Sequence, residues 1–285
     1  APHDVRSSSR LARAVWRRDA DGTLKAFSPP GDELMGVFAL LIDEAGGAIW
    51  AATAAVPAMR HFSPEQDGAA ALVELDLESG AIRRSIGLPR GSGDPQPRFP
   101  RALARGEDGS VFFLEQGDRS LWRLVPGAAE LVPAIESDEL MAPAGLASLP
   151  GGTIIVADLV NGLLRVDLGR KEVRRIPAPE ASTLTDVVSL AVAPDGALLA
   201  LQAGLRPSRV LRVELDEAAE TVVGIEILES GHLAMSAPAS GSLGPGEAFY
   251  FLGNTGSTRE EFRTGQPAVP RLIPVFRTRP FAGKR

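Results

Sequence analysis

A chain of 285 residues without a single cysteine excludes disulfides, thiolate metal sites and cysteine nucleophiles. A net charge of −6, with no arm or stripe of Lys and Arg, argues against nucleic acid as a partner. The longest apolar stretch, near Val37 to Ile42, is too short to span a bilayer, and 30 Gly with 23 Pro favour many short strands over long helices.

In chain order the predicted elements fall into units. A first unit, about 3–30, supplies residues 3–9, Ala14 to Arg18 and Thr23 to Phe27 as its last three strands, with no evident first strand. The next four units, about 34–89, 99–136, 141–179 and 184–230, share one plan. A short apolar run leads to a Gly turn (Gly46-Gly47, Asp108-Gly109, Gly151-Gly152, Asp195-Gly196) and then to a stronger run such as Ile154-Ile155-Val156. An Arg-bearing strand and a charged strand such as Lys171 to Ile176 follow. The last unit, about 232–281, turns at Pro245-Gly246 and has little chain left for a fourth strand.

The third strands carry a recurrent phrase, apolar–apolar–Arg–apolar, often closed by an acid. Leu163-Leu164-Arg165-Val166-Asp167 and Val210-Leu211-Arg212-Val213-Glu214 are examples, and Glu74 takes the Arg position in the second unit. Its copies lie about 50 residues apart, a propeller or solenoid spacing. The change from apolar to charged across four antiparallel strands predicts an all-β fold, a six-bladed β-propeller with four-stranded antiparallel blades. The repeated Arg reads as scaffold, bonding to the next blade or covering apolar strands with its stem, because one site cannot use several equivalent copies. Long insertions at 53–68, 87–99 and 254–270 all fall on one face, a natural place for a protein partner to dock.

Six residues past the turn glycine lie Thr53, Glu115, Asp158 and Gln202, and Asn254 ends the corresponding strand of the last unit. Oxygen-bearing side chains at matching strand ends suit a hard cation or a polar small-molecule ligand. Glu33, Arg101, Asp186 and His232 sit in the loops entering first strands. Asp158, Asp186 and Glu115 are the metal-ligand candidates, with His232, Asp186 and Glu115 for acid–base work. Glu33, Arg101, Gln202, Arg206 and Asn254 are the ligand-binding candidates. Arg101 suits a carboxylate or phosphate rather than a cation. For Asp158 the competing reading is a cap on its own turn.

Residues 153–168, 14–27 and 202–212 resemble segments of the senescence-marker-protein/gluconolactonase-like six-bladed propellers, a superfamily with strictosidine-synthase-like, paraoxonase-like and NHL-like members. The resemblance implies a divalent cation, often calcium, in a central tunnel, and hydrolysis of a lactone or related ester. The chain departs from the family pattern at Pro100-Arg101-Ala102, where members carry an Asn-Asp step. A non-catalytic small-molecule or protein-binding propeller therefore stands beside the hydrolase, as does a metal-free strictosidine-synthase-like enzyme using Glu115. The Ala-Pro start, without an initiator Met, is what signal-peptide removal leaves in a periplasmic or secreted protein, and the lack of cysteine fits the cytosol equally.

Overall fold

The computed structural model describes residues 5–9, 13–19, 21–29, 33–89, 97–255 and 274–279. They form six antiparallel sheets. The first holds β1 (Val5–Ser9), β2 (Ala14–Arg18) and β3 (Leu24–Ala26). The second holds β4 (Gly36–Asp43), β5 (Ala48–Ala54), β6 (Ala70–Asp76) and β7 (Ile82–Gly87). The third holds β8 (Pro100–Arg105), β9 (Val111–Glu115), β10 (Ser120–Leu124) and β11 (Val132–Glu136). The fourth holds β12 (Pro143–Ser148), β13 (Ile154–Asp158), β14 (Gly162–Asp167) and β15 (Glu172–Arg175). The fifth holds β16 (Val187–Val192), β17 (Leu198–Gln202), β18 (Arg209–Leu215) and β19 (Val222–Ser230). The sixth holds β20 (Ala239–Gly244), β21 (Ala248–Leu252) and β22 (Val275–Thr278).

The prediction of six four-stranded blades is corrected by these sheets. Four of them are complete, and the first and last have three strands each. These counts are of the described residues. The chain divides into two compact units, one running to Pro133 and one beginning at Ala134.

Inside the first unit the core lies between successive sheets. Trp50, Ala52 and Leu72 of the second sheet pack with Phe113 and Trp122 of the third. Val15 of the first sheet packs with Ile49, Val73 and Leu75 of the second. Inside the second unit, Ile155 and Leu163 meet Leu198 and Leu211, and Leu199 and Val210 meet Phe249 and Phe251. The second strands β5, β9, β13 and β17 are buried along their whole length, so each reads as a continuous apolar run rather than an alternating one. Outer strands such as β15 carry their charges into solvent.

The repeated phrase now has a physical meaning. Its closing acid caps the turn to the fourth strand. Asp76 accepts from the Glu78 and Ser79 amides, and Asp167 from those of Gly169 and Arg170. Its Arg bonds mostly within its own blade: Arg123 to Asp108 and Arg212 to Asp195, the acids of the preceding Asp-Gly turns. Where that turn is Gly151-Gly152 and offers no acid, Arg165 reaches the Ala218 carbonyl of the next sheet. The expected bond to a neighbouring blade is thus made by Arg165, whose own turn offers no acid.

Candidate functional site

The strand-end residues found by counting from the turn glycines share one job. Asp158 is fully buried. Its Oδ2 accepts from the Ala142 amide at 2.7 Å, and its Oδ1 from those of Val160 and Asn161 at 2.9 Å. It therefore ties the loop entering β12 to the turn leaving β13. Glu115, also fully buried, does the same one blade earlier, accepting from the Phe99 amide before β8 and the Asp118 amide after β9. In the fifth sheet the polarity reverses. Gln202 donates to the Thr183 and Thr185 carbonyls before β16 and accepts from Arg209 after β17. Thr53 donates to Ala71 on the neighbouring strand. Asn254 sits beside Ala237 in an isolated parallel bridge. The capping alternative describes Asp158, and Glu115 repeats it.

Glu115 has an arginine beside it that sequence reasoning missed. Arg98 lies 3.6 Å from its Oε2, pairs with Asp118 and donates to the Pro89 carbonyl, closing both ends of the long entry loop. Burial raises the Glu115 pKa above its ordinary 4.5, against the lowering effects of the Phe99 and Gly117 amides and of Arg98. A carboxyl with a raised folded pKa binds its proton more tightly in the native state. Stability is therefore fullest below the usual Glu range and falls as pH rises through the window from 4.5 up to the raised value. Urea unfolding across that window should show the native protein losing more stability than Glu115→Gln. Parallel curves would mean that Glu115 ionises normally.

The loop candidates differ. His232 is exposed, its ring edge-on to Phe276 at 4.8 Å, and its Nδ1 accepts from the Ala234 amide. In the neutral ring the proton then sits on Nε2, which leaves no lone pair for a general base. Glu33 and Arg206 are exposed, Glu33 upstream of β4 and Arg206 in the turn between β17 and β18. Asp186 is held at a left-handed φ of 60° by backbone bonds to Leu159 and Ala203, and its carboxylate accepts a hydrogen bond from the Thr185 hydroxyl at 3.4 Å. The structure brings Asp186 and Gln202 together at the entry of β16, and Arg101 and Glu115 at the entry of β8.

A second register was missed. Each first strand from β4 to β20 carries a β-bulge near its start, between Val37 and Ala39, Pro100 and Ala102, Pro143 and Gly145, Val187 and Ser189, and Ala239 and Gly241. The extra residues are Phe38, Arg101, Ala144, Val188 and Ser240. Each is followed by a small residue. Gly145 lets the Leu190 backbone approach, and Ser189 Oγ bonds both the amide and the carbonyl of Gly241 at 3.0 Å. The signal was in the sequence as Arg101-Ala102-Leu103-Ala104, Ala144-Gly145-Leu146-Ala147 and Val188-Ser189-Leu190-Ala191. Arg101 is the only charged residue at the bulge. Its Nε is buried without a partner, and burial lowers its pKa.

The residues do not fit the family's cation. Asp158 is filled by three amide donors, Glu115 by two amides and Arg98, and Arg101 stands at the Asn-Asp step. Among the described residues no group of three His, Asp or Glu side chains is placed to hold a metal ion.

This architecture is that of a β-propeller, all-β with four-stranded antiparallel blades. The chain is similar in fold to a glucose dehydrogenase-type oxidoreductase from Thermus thermophilus, with a TM-score of 0.63, 15% identity, and 96% of this chain and 93% of that one covered. It is similar to virginiamycin B lyase from Staphylococcus aureus, with a TM-score of 0.57, 15% identity, and 86% and 75% covered. It is also similar to a protein assigned as a gluconolactonase, with a TM-score of 0.53, 16% identity, and 88% and 89% covered. The sequence matches no protein-family model and no curated protein.

Proposed function

We propose that this chain is a small-molecule-binding propeller whose ligand in the first unit meets the bulged residue Arg101 at the start of β8. It does so without a cation held by Glu115, Asp158 and Asp186. One observation carries the reading. The strand-end oxygens that would make a lactonase cage are spent on backbone donors, whereas the bulge is where the blades differ, from Phe38 through Arg101 to Ser240. A residue outside the ladder bonds is available for recognition where it also stays out of the core, as Arg101 does and Phe38 and Ala144 do not. The neighbours in fold carry a lyase, a dehydrogenase and a gluconolactonase, so the fold does not choose among chemistries.

The test is δ-gluconolactone hydrolysis by the purified protein with and without EDTA, beside a thermal-shift screen of small polar compounds. We expect ligand-dependent stabilisation that Arg101→Gln weakens, and no hydrolysis that EDTA removes. Chelator-sensitive turnover would sink the reading in favour of the metal-dependent hydrolase.

One observation favours a second reading, hydrolysis without a metal. Asp186 combines a left-handed backbone with a carboxylate that accepts only one long hydrogen bond among those described, as a poised base would. If EDTA-resistant hydrolysis appears, Asp186→Asn should lower it about 100-fold or more.

A further inference from the structure

Arg101 is singular among the arginines around it. In the first unit, Arg84 pairs with Glu74, Arg98 with Asp118, Arg105 with Asp43 and Arg123 with Asp108, while Arg13 donates to the Leu34 carbonyl. Arg101 has no such acceptor among the described residues, and its Nε is buried. A guanidinium stays charged in proteins, so a buried, unmatched N–H on it is a cost to the ligand-free fold. Groups left in that state are explained most economically by a partner that arrives from outside.

The chemistry of the unmatched donor selects the partner. The buried donor is Nε, one end of the side-on fork formed by Nε and an adjacent Nη. That fork matches the two oxygens of a planar carboxylate. Its position is fixed from both sides. Pro100 is paired with Glu115 and Ala102 with Leu114, while Glu115 holds the Phe99 amide just upstream. The guanidinium is therefore presented from a clamped bulge rather than a free loop.

We propose that Arg101 is the anchor for a small organic carboxylate, gripped side-on through Nε and one Nη. The proposal rests on the reading that the ligand meets this bulged residue, and it names the ligand's chemical class.

Full-length protein labelled with 15N gives the test. The Arg101 Nε–H signal is identified by its loss in Arg101→Lys, then followed during titration with sodium acetate, acetamide and sodium phosphate at constant ionic strength. Acetate should shift the signal saturably, and acetamide should bind at least tenfold more weakly. Arg101→Gln should abolish saturable acetate binding while leaving the ligand-free melting temperature unchanged or higher. Arg101→Lys, which keeps the charge but not the fork, should also weaken acetate tenfold or more.

An unmoved Nε–H, an equal response to acetamide, or acetate binding retained in Arg101→Gln overturns the proposal. Tighter binding of phosphate than acetate overturns the carboxylate assignment. A fall in the melting temperature of Arg101→Gln would show that the guanidinium is structural, which also overturns it. Chelator-sensitive lactone hydrolysis is a separate result that removes the underlying reading while leaving the Nε–H response to be judged by itself.

Discussion

Asp158→Ala should be among the most damaging single substitutions in the chain, costing about 3–5 kcal/mol as three part-buried amides lose the buried carboxylate they share. The carboxylate does not merely close one turn. It joins the amide of Ala142, on the way into β12, to those of Val160 and Asn161, on the way out of β13. Removing it unties both ends of the buried centre of the fourth sheet. Asp158→Asn keeps an oxygen for the Val160 and Asn161 amides but turns an N–H₂ toward that of Ala142, so it should fall between the two. Urea unfolding of the three proteins checks the order. At about 2–4 °C per kcal/mol the alanine variant should melt about 10 °C lower. A loss below about 1 kcal/mol would mean that water replaces the carboxylate, and the clamp would be a convenience rather than a requirement.

Gly80→Ala is expected to cost about 3 kcal/mol or more, with the damage concentrated in the first sheet. Gly80 ends the turn between β6 and β7 at φ 74°, where its amide bonds the Asp76 carbonyl. A Cβ there would fall on the carbonyl oxygen of Phe27, just beyond β3. Backbone on both sides leaves no side chain to swing away, so the edge of the first sheet must lift. Gly127→Ala is the control. It has nearly the same φ, 78°, and no atom within 4 Å of the added carbon, so it should cost only the left-handed penalty of about 1–2 kcal/mol. Hydrogen exchange should quicken in β1 to β3 of Gly80→Ala while β13 and β17 stay protected. Equal losses in the two variants would show that backbone conformation, rather than the close approach, governs this joint.

Much of this architecture was legible because strand chemistry is local. The Gly turns at 109, 152 and 196, the apolar second strands and the charged fourth strands each declared themselves within a few residues, and even the short first unit was visible as three strands. Complete blades could not be counted this way, because whether a strand joins a sheet depends on its partner as well as on its own residues. The site was less legible. Counting to Glu115, Asp158 and Gln202 found a real structural position, but an oxygen that binds a cation and one that binds three amides look alike in a sequence. What separates them is the backbone around them, which comes from the loops entering β8, β12 and β16. The bulge register was hidden for a related reason. An extra residue in one strand shows only against its partner, and the phrase that marks it is built of Ala, Gly, Ser and Leu, the commonest strand vocabulary.

The bulge has a consequence for how such a protein can change over time. Phe38, Arg101, Ala144, Val188 and Ser240 are skipped by the pairing of their strands, while the neighbours that hold the register, such as Ser189 with Gly241, are small and mutually bonded. Phe38 and Ala144 are buried and Val188 packs on the core, whereas Arg101 is only partly buried and Ser240 is exposed, and these two can be exchanged without shifting a strand. The pairing of the strands is a fixed frame, and a lineage or a designer can rewrite those two inserts while leaving it standing.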